Sequence, residues 1–305
     1  MKVQPMRQIC SELCYQFCVF LLPVTLCMGC IPAATAPIPT LEYLQESGTQ
    51  GENLLILIRG IGGSNKSFEA YGLIEEIRRR QLPFDIVAPD AHFGYYKAEN
   101  VEDRLNEDII LPARMQGYQR IWLAGFSMGG LGSLFYLREY AEQVDGVMLI
   151  CPFVGWSGII NEIEESGGIS DWSATTEDES DWQRLIWSWV KHYSTKPDEY
   201  PPIYLGYGDD DFLAGDGPAL LAQSLPADRT FVVAGGHNYS TFRKIFLTHL
   251  DNLDDEFNTT GKASSKRTEY QANYRNGQIR HRLLKKENSY FSNPCELSIK
   301  CSRQG

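Results

Sequence analysis

The chain has 305 residues, of which 43% are hydrophobic and 22% charged, and its formal net charge is −11. These values are ordinary for a globular protein with a sizeable core, either one large α/β domain or two small ones. The acidic balance argues against nucleic acid as the main partner.

Residues 1–30 carry the pattern of an export signal. Lys2 and Arg7 supply a basic start, and Phe17 to Met28 is an uncharged apolar run too short to span a bilayer comfortably. Glu12, just before the run, is out of character. The run closes in Leu26-Cys27-Met28-Gly29-Cys30, where a small residue precedes a cysteine. That ending resembles a bacterial lipoprotein processing site, with Cys30 as the lipidated residue. Plain secretion or an uncleaved anchor are the alternatives, and the expected location is periplasmic or membrane-anchored. Cys10, Cys14 and Cys18 have no His or acidic partner at metal-ligand spacing and read as small apolar residues. Residues 31–52 are predicted as a linker leading into the domain, because Ile31 to Thr40 is rich in Ala, Pro and Thr.

A folded domain is predicted over 53–257. Asn53 to Ile58 is a continuous apolar run that fits a strand buried on both faces, and the Gly-rich Arg59-Gly60-Ile61-Gly62-Gly63-Ser64 follows it. Such a turn lets backbone N–H groups approach a ligand oxygen closely. A helix is predicted over Ser67 to Arg80, then a strand over Phe84 to Ala88. Next come an aromatic loop with His92, Phe93, Tyr95 and Tyr96, and a helix over Val101 to Gln116.

Ile121 to Phe126 reads as the central strand, and Met128 to Val144 as the helix after it. Ser127 stands between them in the pattern G-x-S-x-G, formed by Gly125 and Gly129. A serine on a sharp strand-to-helix turn has strained backbone angles and presents its hydroxyl clear of the sheet edge. The Met128 N–H opens the helix and can donate toward charge developing on a carbonyl oxygen.

Asp145 to Cys151 is a further buried strand. The segment 153–197 then separates two strands that would otherwise be close neighbours. It is acidic and holds Trp156, Trp172, Trp182, Trp187 and Trp189. An insert of this length predicts a cap over a site. Its plain alternative is a packed helical excursion whose tryptophans fill the core. Pro202 to Gly208 is the next strand, ending in Asp209-Asp210-Asp211, and a helix is expected over Gly217 to Leu225. Arg229 to Ala234 is the last strand, closed by Gly235-Gly236-His237, and a helix over Ser240 to Leu253 follows. Strands alternating with helices at these spacings predict a doubly wound, mostly parallel sheet. Residues 258–305 are basic and sparse in apolar residues, and predict a poorly ordered tail suited at most to anionic headgroups. Cys295 and Cys301 within it are a candidate disulfide pair in an oxidising compartment.

Ser127, the Asp209–Asp211 cluster and His237 all fall at the C-terminal ends of predicted strands, the edge at which open parallel sheets bind ligands. A serine hydroxyl needs a base, histidine suits that task, and an acid must orient the imidazole. With the Gly-rich turn after Ile58, the elbow at Ser127 and the order Ser, Asp, His, the chain from about Leu54 to Leu253 resembles the α/β-hydrolase superfamily, in particular its serine esterases and lipases. The resemblance implies Ser127 as nucleophile, His237 as general base, Asp211 as acid with Asp210 as the alternative, and the amides of Ile61 and Met128 as oxyanion donors. It implies a small-molecule ester substrate and no metal or organic cofactor. Thioesterase, amidase and peptidase activities use the same constellation, and an inactive tethered binding protein is the reading outside enzymes. Arg59 departs from the family, which commonly has His before the oxyanion glycine. His92 reads as a loop residue that could line the pocket. Oligomeric state is not legible.

Overall fold

The computed structural model describes residues 31–45, 51–174 and 180–259, with side chains as far as Leu253. The expected export signal with Cys30, and the tail beyond 259 with Cys295 and Cys301, lie outside the described residues. The compact unit begins at Ala34. Among the described residues no helix is long and apolar enough to cross a membrane.

The strands are β1 (Thr40–Tyr43), β2 (Asn53–Ile58), β3 (Phe84–Pro89), β4 (Arg120–Phe126), β5 (Gly146–Ile150), β6 (Ile203–Gly208) and β7 (Thr230–Val233). They form one seven-stranded sheet in the order β1-β3-β2-β4-β5-β6-β7. Only β1 runs antiparallel, against β3; the remaining pairs are parallel. This is the α/β-hydrolase fold, with the chain crossing over at β2 and the elbow serine at the end of the central strand.

The unbroken apolar strands have a simple cause. In β2, Leu54, Ile56 and Ile58 enter the core on one face of the sheet, while Leu55 and Leu57 enter the core on the other. In β4, Ile121 and Leu123 take the first face, and Trp122, Ala124 and Phe126 the second. A strand with helices on both faces has no polar side to show.

The helices are α1 (Ser67–Ala70), α2 (Leu73–Arg79), α3 (Phe93–Lys97), α4 (Val101–Leu105), α5 (Leu111–Gln116), α6 (Met128–Tyr140), α7 (Ser157–Glu165), α8 (Trp182–Thr195), α9 (Gly217–Ala222) and α10 (Tyr239–Thr259). Helices α1, α2 and α10 supply Phe68, Leu73, Ile77, Phe242 and Phe246 to the second face. The first face is covered by α3 to α9. The single helix expected over Ser67 to Arg80 is broken at Gly72, whose φ of 72° only glycine adopts at little cost. The helix expected over Val101 to Gln116 is continuous but widens to a π turn over Asn106–Ile110, just before Pro112.

Within 31–52, expected as linker and domain entry, part of the chain already belongs to the fold. Ile38 is buried and its N–H donates to Asp108 Oδ2 at 2.8 Å, and β1 pairs along the edge of the sheet. A four-residue edge strand after a Pro-rich stretch is too short for its period to register in the sequence.

The insert carries mostly core tryptophans, as its plainer reading expects. Its two helices α7 and α8 are packed, and Trp172, Trp182, Trp187 and Trp189 all belong to the core on the first face. Trp187 Nε1 donates to Val154 O at 2.9 Å, and Trp172 Nε1 to Glu162 Oε1 at 2.9 Å. Trp156 alone among them is exposed. A tryptophan finds its place in a core through both its area and its N–H partner, and neither is written in the spacing.

Candidate active site

The elbow is built from backbone constraints. Ser127 has φ 53° and ψ −117°, a conformation an L residue adopts only when its surroundings impose it. Three hydrogen bonds impose it here. Ser127 N donates to Ile150 O at 2.9 Å, while its carbonyl accepts from Gly130 N at 2.9 Å and Phe153 N at 3.0 Å. Gly129 passes so near β2 that a Cβ there would lie 2.1 Å from Ile58 O. No flexible side chain relieves that contact, because its other side is backbone.

His237 follows β7 in the turn before α10, and Asp211 follows β6. His237 Nε2 lies 2.8 Å from Ser127 Oγ, and Nδ1 lies 2.9 Å and 2.8 Å from Asp211 Oδ1 and Oδ2. With Nδ1–H donated to the carboxylate, Nε2 keeps its lone pair and accepts from the serine hydroxyl. The structure therefore brings Ser127, His237 and Asp211 into one hydrogen-bonded line. Asp210 is exposed. Asp209 Oδ1 accepts from Gly235 N at 2.9 Å, which ties the β6 turn to the histidine turn.

Burial pushes the Asp211 carboxyl up, but hydrogen bonds from His237, the Ala214 N–H and the Cys151 thiol outweigh it, so the group is held below its ordinary value. It stays an anion facing the imidazole. The Ala214 bond is 3.0 Å long and leaves the carboxylate little freedom to turn.

The two expected oxyanion amides stand beside the serine in different ways. Met128 is the first residue of α6, so its N–H has no intrahelical acceptor. Ile61 follows Gly60, where an added Cβ would lie 3.0 Å from Ser127 Cβ and 3.5 Å from its Oγ.

The aromatic segment after β3 is a helix and not a loop. His92 caps it, with Nδ1 accepting from Gly94 N at 3.1 Å, and burial lowers the His92 pKa. Tyr95 and Tyr96 are buried, and Tyr96 Oη donates to Met128 O at 2.9 Å. Tyr96 thereby supports the elbow. Among the exposed apolar side chains of the described residues are Ile61, Trp156, Phe212 and Leu213. Two of them directly follow Asp211, and Trp156 packs edge-on to Phe153, the residue bonded to Ser127 O.

Sequence reasoning passed over Cys151. It is fully buried at φ 44°, directly after β5 at the same sheet edge, and that position was the available signal. Its Sγ, an Asp211 oxygen and a His237 ring nitrogen lie within 4.8 Å of one another. Burial and then the Asp211 charge push the Cys151 thiol far up, and Asp211 and His237 are hydrogen-bonded to each other.

No protein-family model matches the chain. No curated protein matches it. Among solved structures, the chain is similar to a ferulic acid esterase at 17% identity, covering 69% of this chain and 89% of that one, with a TM-score of 0.49. It is similar to Est1E from Butyrivibrio proteoclasticus at 14% identity, covering 73% and 98%, with a TM-score of 0.48. A third likeness is to FphF, a fluorophosphonate-binding serine hydrolase of Staphylococcus aureus, at 15% identity, covering 71% and 94%, with a TM-score of 0.47.

Proposed function

We propose that this protein is a serine hydrolase that cleaves carboxylic esters through an acyl-enzyme. The observation that carries the proposal is the line of hydrogen bonds from Ser127 Oγ through His237 to Asp211, at 2.8 Å and 2.8 to 2.9 Å. Ser127 Oγ attacks the ester carbonyl as its proton passes to His237 Nε2, and the carbonyl oxygen becomes an oxyanion facing the amides of Ile61 and Met128. The intermediate expels the alcohol, which takes the proton from Nε2. Water then adds to the acyl carbonyl as its proton passes to Nε2, and the second intermediate breaks its bond to Oγ, which takes that proton back as the acid leaves. Asp211 remains ionised and stabilises the imidazolium formed in each half.

The exposed Ile61, Trp156, Phe212 and Leu213 support a substrate with an apolar acyl or alcohol group, since they sit on the segments that carry the reacting residues. An exported and lipid-tethered location belongs to the same proposal and rests on the lead sequence ending in Gly29-Cys30. Fractionation of wild type and Cys30→Ala tests that part. The chemistry is tested by labelling with a fluorophosphonate and mapping the modified peptide. Label at Ser127, lost in Ser127→Ala together with turnover of a small chromogenic ester, is the expected result. Equal turnover by Ser127→Ala would end the proposal.

A further inference from the structure

The turn after β2 holds a buried cation that the chemistry above does not use. Arg59 spreads its guanidinium over three acceptors. Nη1 donates to Asp90 Oδ1 at 2.7 Å, Nε to Gly60 O at 3.2 Å, and Nη2 to Ile61 O at 3.2 Å. Its side chain is 10% exposed, so these bonds form largely out of water.

The first of the two carbonyl bonds matters most. Gly60 O and the Ile61 N–H belong to one planar trans peptide unit, and in such a unit they point in opposite directions. Fixing Gly60 O therefore fixes the direction of the Ile61 N–H, turned away from the guanidinium. Gly63 N also reaches Gly60 O, but at 3.4 Å, a long bond within a Gly-rich turn. Among the described residues no hydrogen bond occupies the Ile61 amide.

The other half of the oxyanion site is held differently. The peptide unit carrying the Met128 N–H has its carbonyl, Ser127 O, bound by Gly130 N and Phe153 N, both backbone groups. One amide is thus oriented by main chain and the other by a side chain. The glycines on either side of Ile61, at 60 and 62, would otherwise let that unit rotate at little cost.

We propose that Arg59, anchored by Asp90, is a positioning residue that sets the Gly60–Ile61 peptide plane so that the Ile61 N–H meets the oxyanion. The inference rests on the hydrolase reading above. Arg59 suits the task where lysine does not, because a planar fork reaches two carbonyls and a carboxylate at once and an ammonium is a single point donor. Preorganisation of this kind acts on the transition state, where the carbonyl oxygen becomes charged, and hardly at all on substrate binding.

Arg59→Lys, Arg59→Met and Asp90→Asn test it, each checked for a native thermal melt. In the Lys and Met variants kcat on a small chromogenic ester is expected to fall about 30-fold with KM within about twofold. Affinity for a trifluoromethyl ketone, which adds to Ser127 Oγ and leaves an oxyanion in the same place, is expected to fall by the same factor. Asp90→Asn gives a smaller fall in both. Should Arg59→Met fail to fold, Arg59→Lys and Asp90→Asn decide the matter. Unchanged kcat and analogue affinity in folded Arg59→Lys, or a rise in KM alone, overturns the proposal. Where wild type takes fluorophosphonate at Ser127 and the Arg59 variants behave as wild type, only this inference falls. Where wild type takes no label, the hydrolase reading falls with it.

Discussion

His237 Nδ1 faces both carboxylate oxygens of Asp211, at 2.9 Å and 2.8 Å, and neither of the two aspartates before it. Three consecutive carboxylates thus have three different situations: Asp209 ties two turns together, Asp210 is exposed, and Asp211 meets the imidazole. Asp211→Asn is expected to lower kcat about 10⁴-fold by favouring the wrong histidine tautomer, with little change in KM. Asp210→Asn should stay within about threefold of wild type by the same argument. Steady-state kinetics on one ester separates them, and an equal loss in both variants would remove Asp211 from the proposed role.

The tryptophans divide in the same manner. Trp187 is fully buried with its indole N–H bonded to Val154 O, so Trp187→Ala should cost about 3–5 kcal/mol of stability. Trp156 is exposed, and Trp156→Ala should change stability by no more than about 0.5 kcal/mol. Its effect is expected in KM for bulky aromatic or long-chain esters, with acetate esters little altered. Urea unfolding and a substrate series measure the two effects separately.

His249 makes stability depend on acid. Its Nε2 bonds Leu149 O at 3.2 Å, while Nδ1 is buried without a hydrogen-bond partner. Burial lowers its pKa from 6.5 to about 4. The unfolded chain takes up this proton near the ordinary value, whereas the folded chain resists it until about 4. Stability from the neutral ring is therefore complete above the ordinary value and declines as pH falls through this window, by up to about 3 kcal/mol. His249→Gln, which can still donate to Leu149 O and cannot titrate, should lose that part of the decline. Unfolding curves at a series of pH values check it, and identical slopes for both proteins would contradict it.

The Cys151 thiol is buried and held protonated against Asp211. Alkylation of the folded protein at neutral pH, followed by peptide mapping, should leave Cys151 unmodified, and denaturation should expose it to reagent. Rapid modification in the folded state would contradict the packing behind the carboxylate.

Much of the fold was legible because its signals are local. Uniform apolar runs in β2 and β4 announce strands covered on both faces, and the Gly125-Phe126-Ser127-Met128-Gly129 spacing announces an elbow. The segment with Phe93, Tyr95 and Tyr96 reads as a loop in the sequence because the five-residue helix α3 is too short for its period to register. β1 escaped because four residues at a sheet edge carry too little pattern.

The sequence alone determined the order of strands β2 to β7, the place of the elbow, and the three turns on which hydroxyl, carboxylate and imidazole are carried. Only the tertiary structure decided which aspartate meets His237, which tryptophans are core, and that Arg59 reaches Asp90 and the carbonyls beside Ile61. The partners in the proposed site lie 26, 31 and 110 positions apart. Periodicity reports the face on which a side chain leaves its own element. The distance between two side chains on different turns is set by how the whole sheet twists and how its loops close, and no local pattern encodes that.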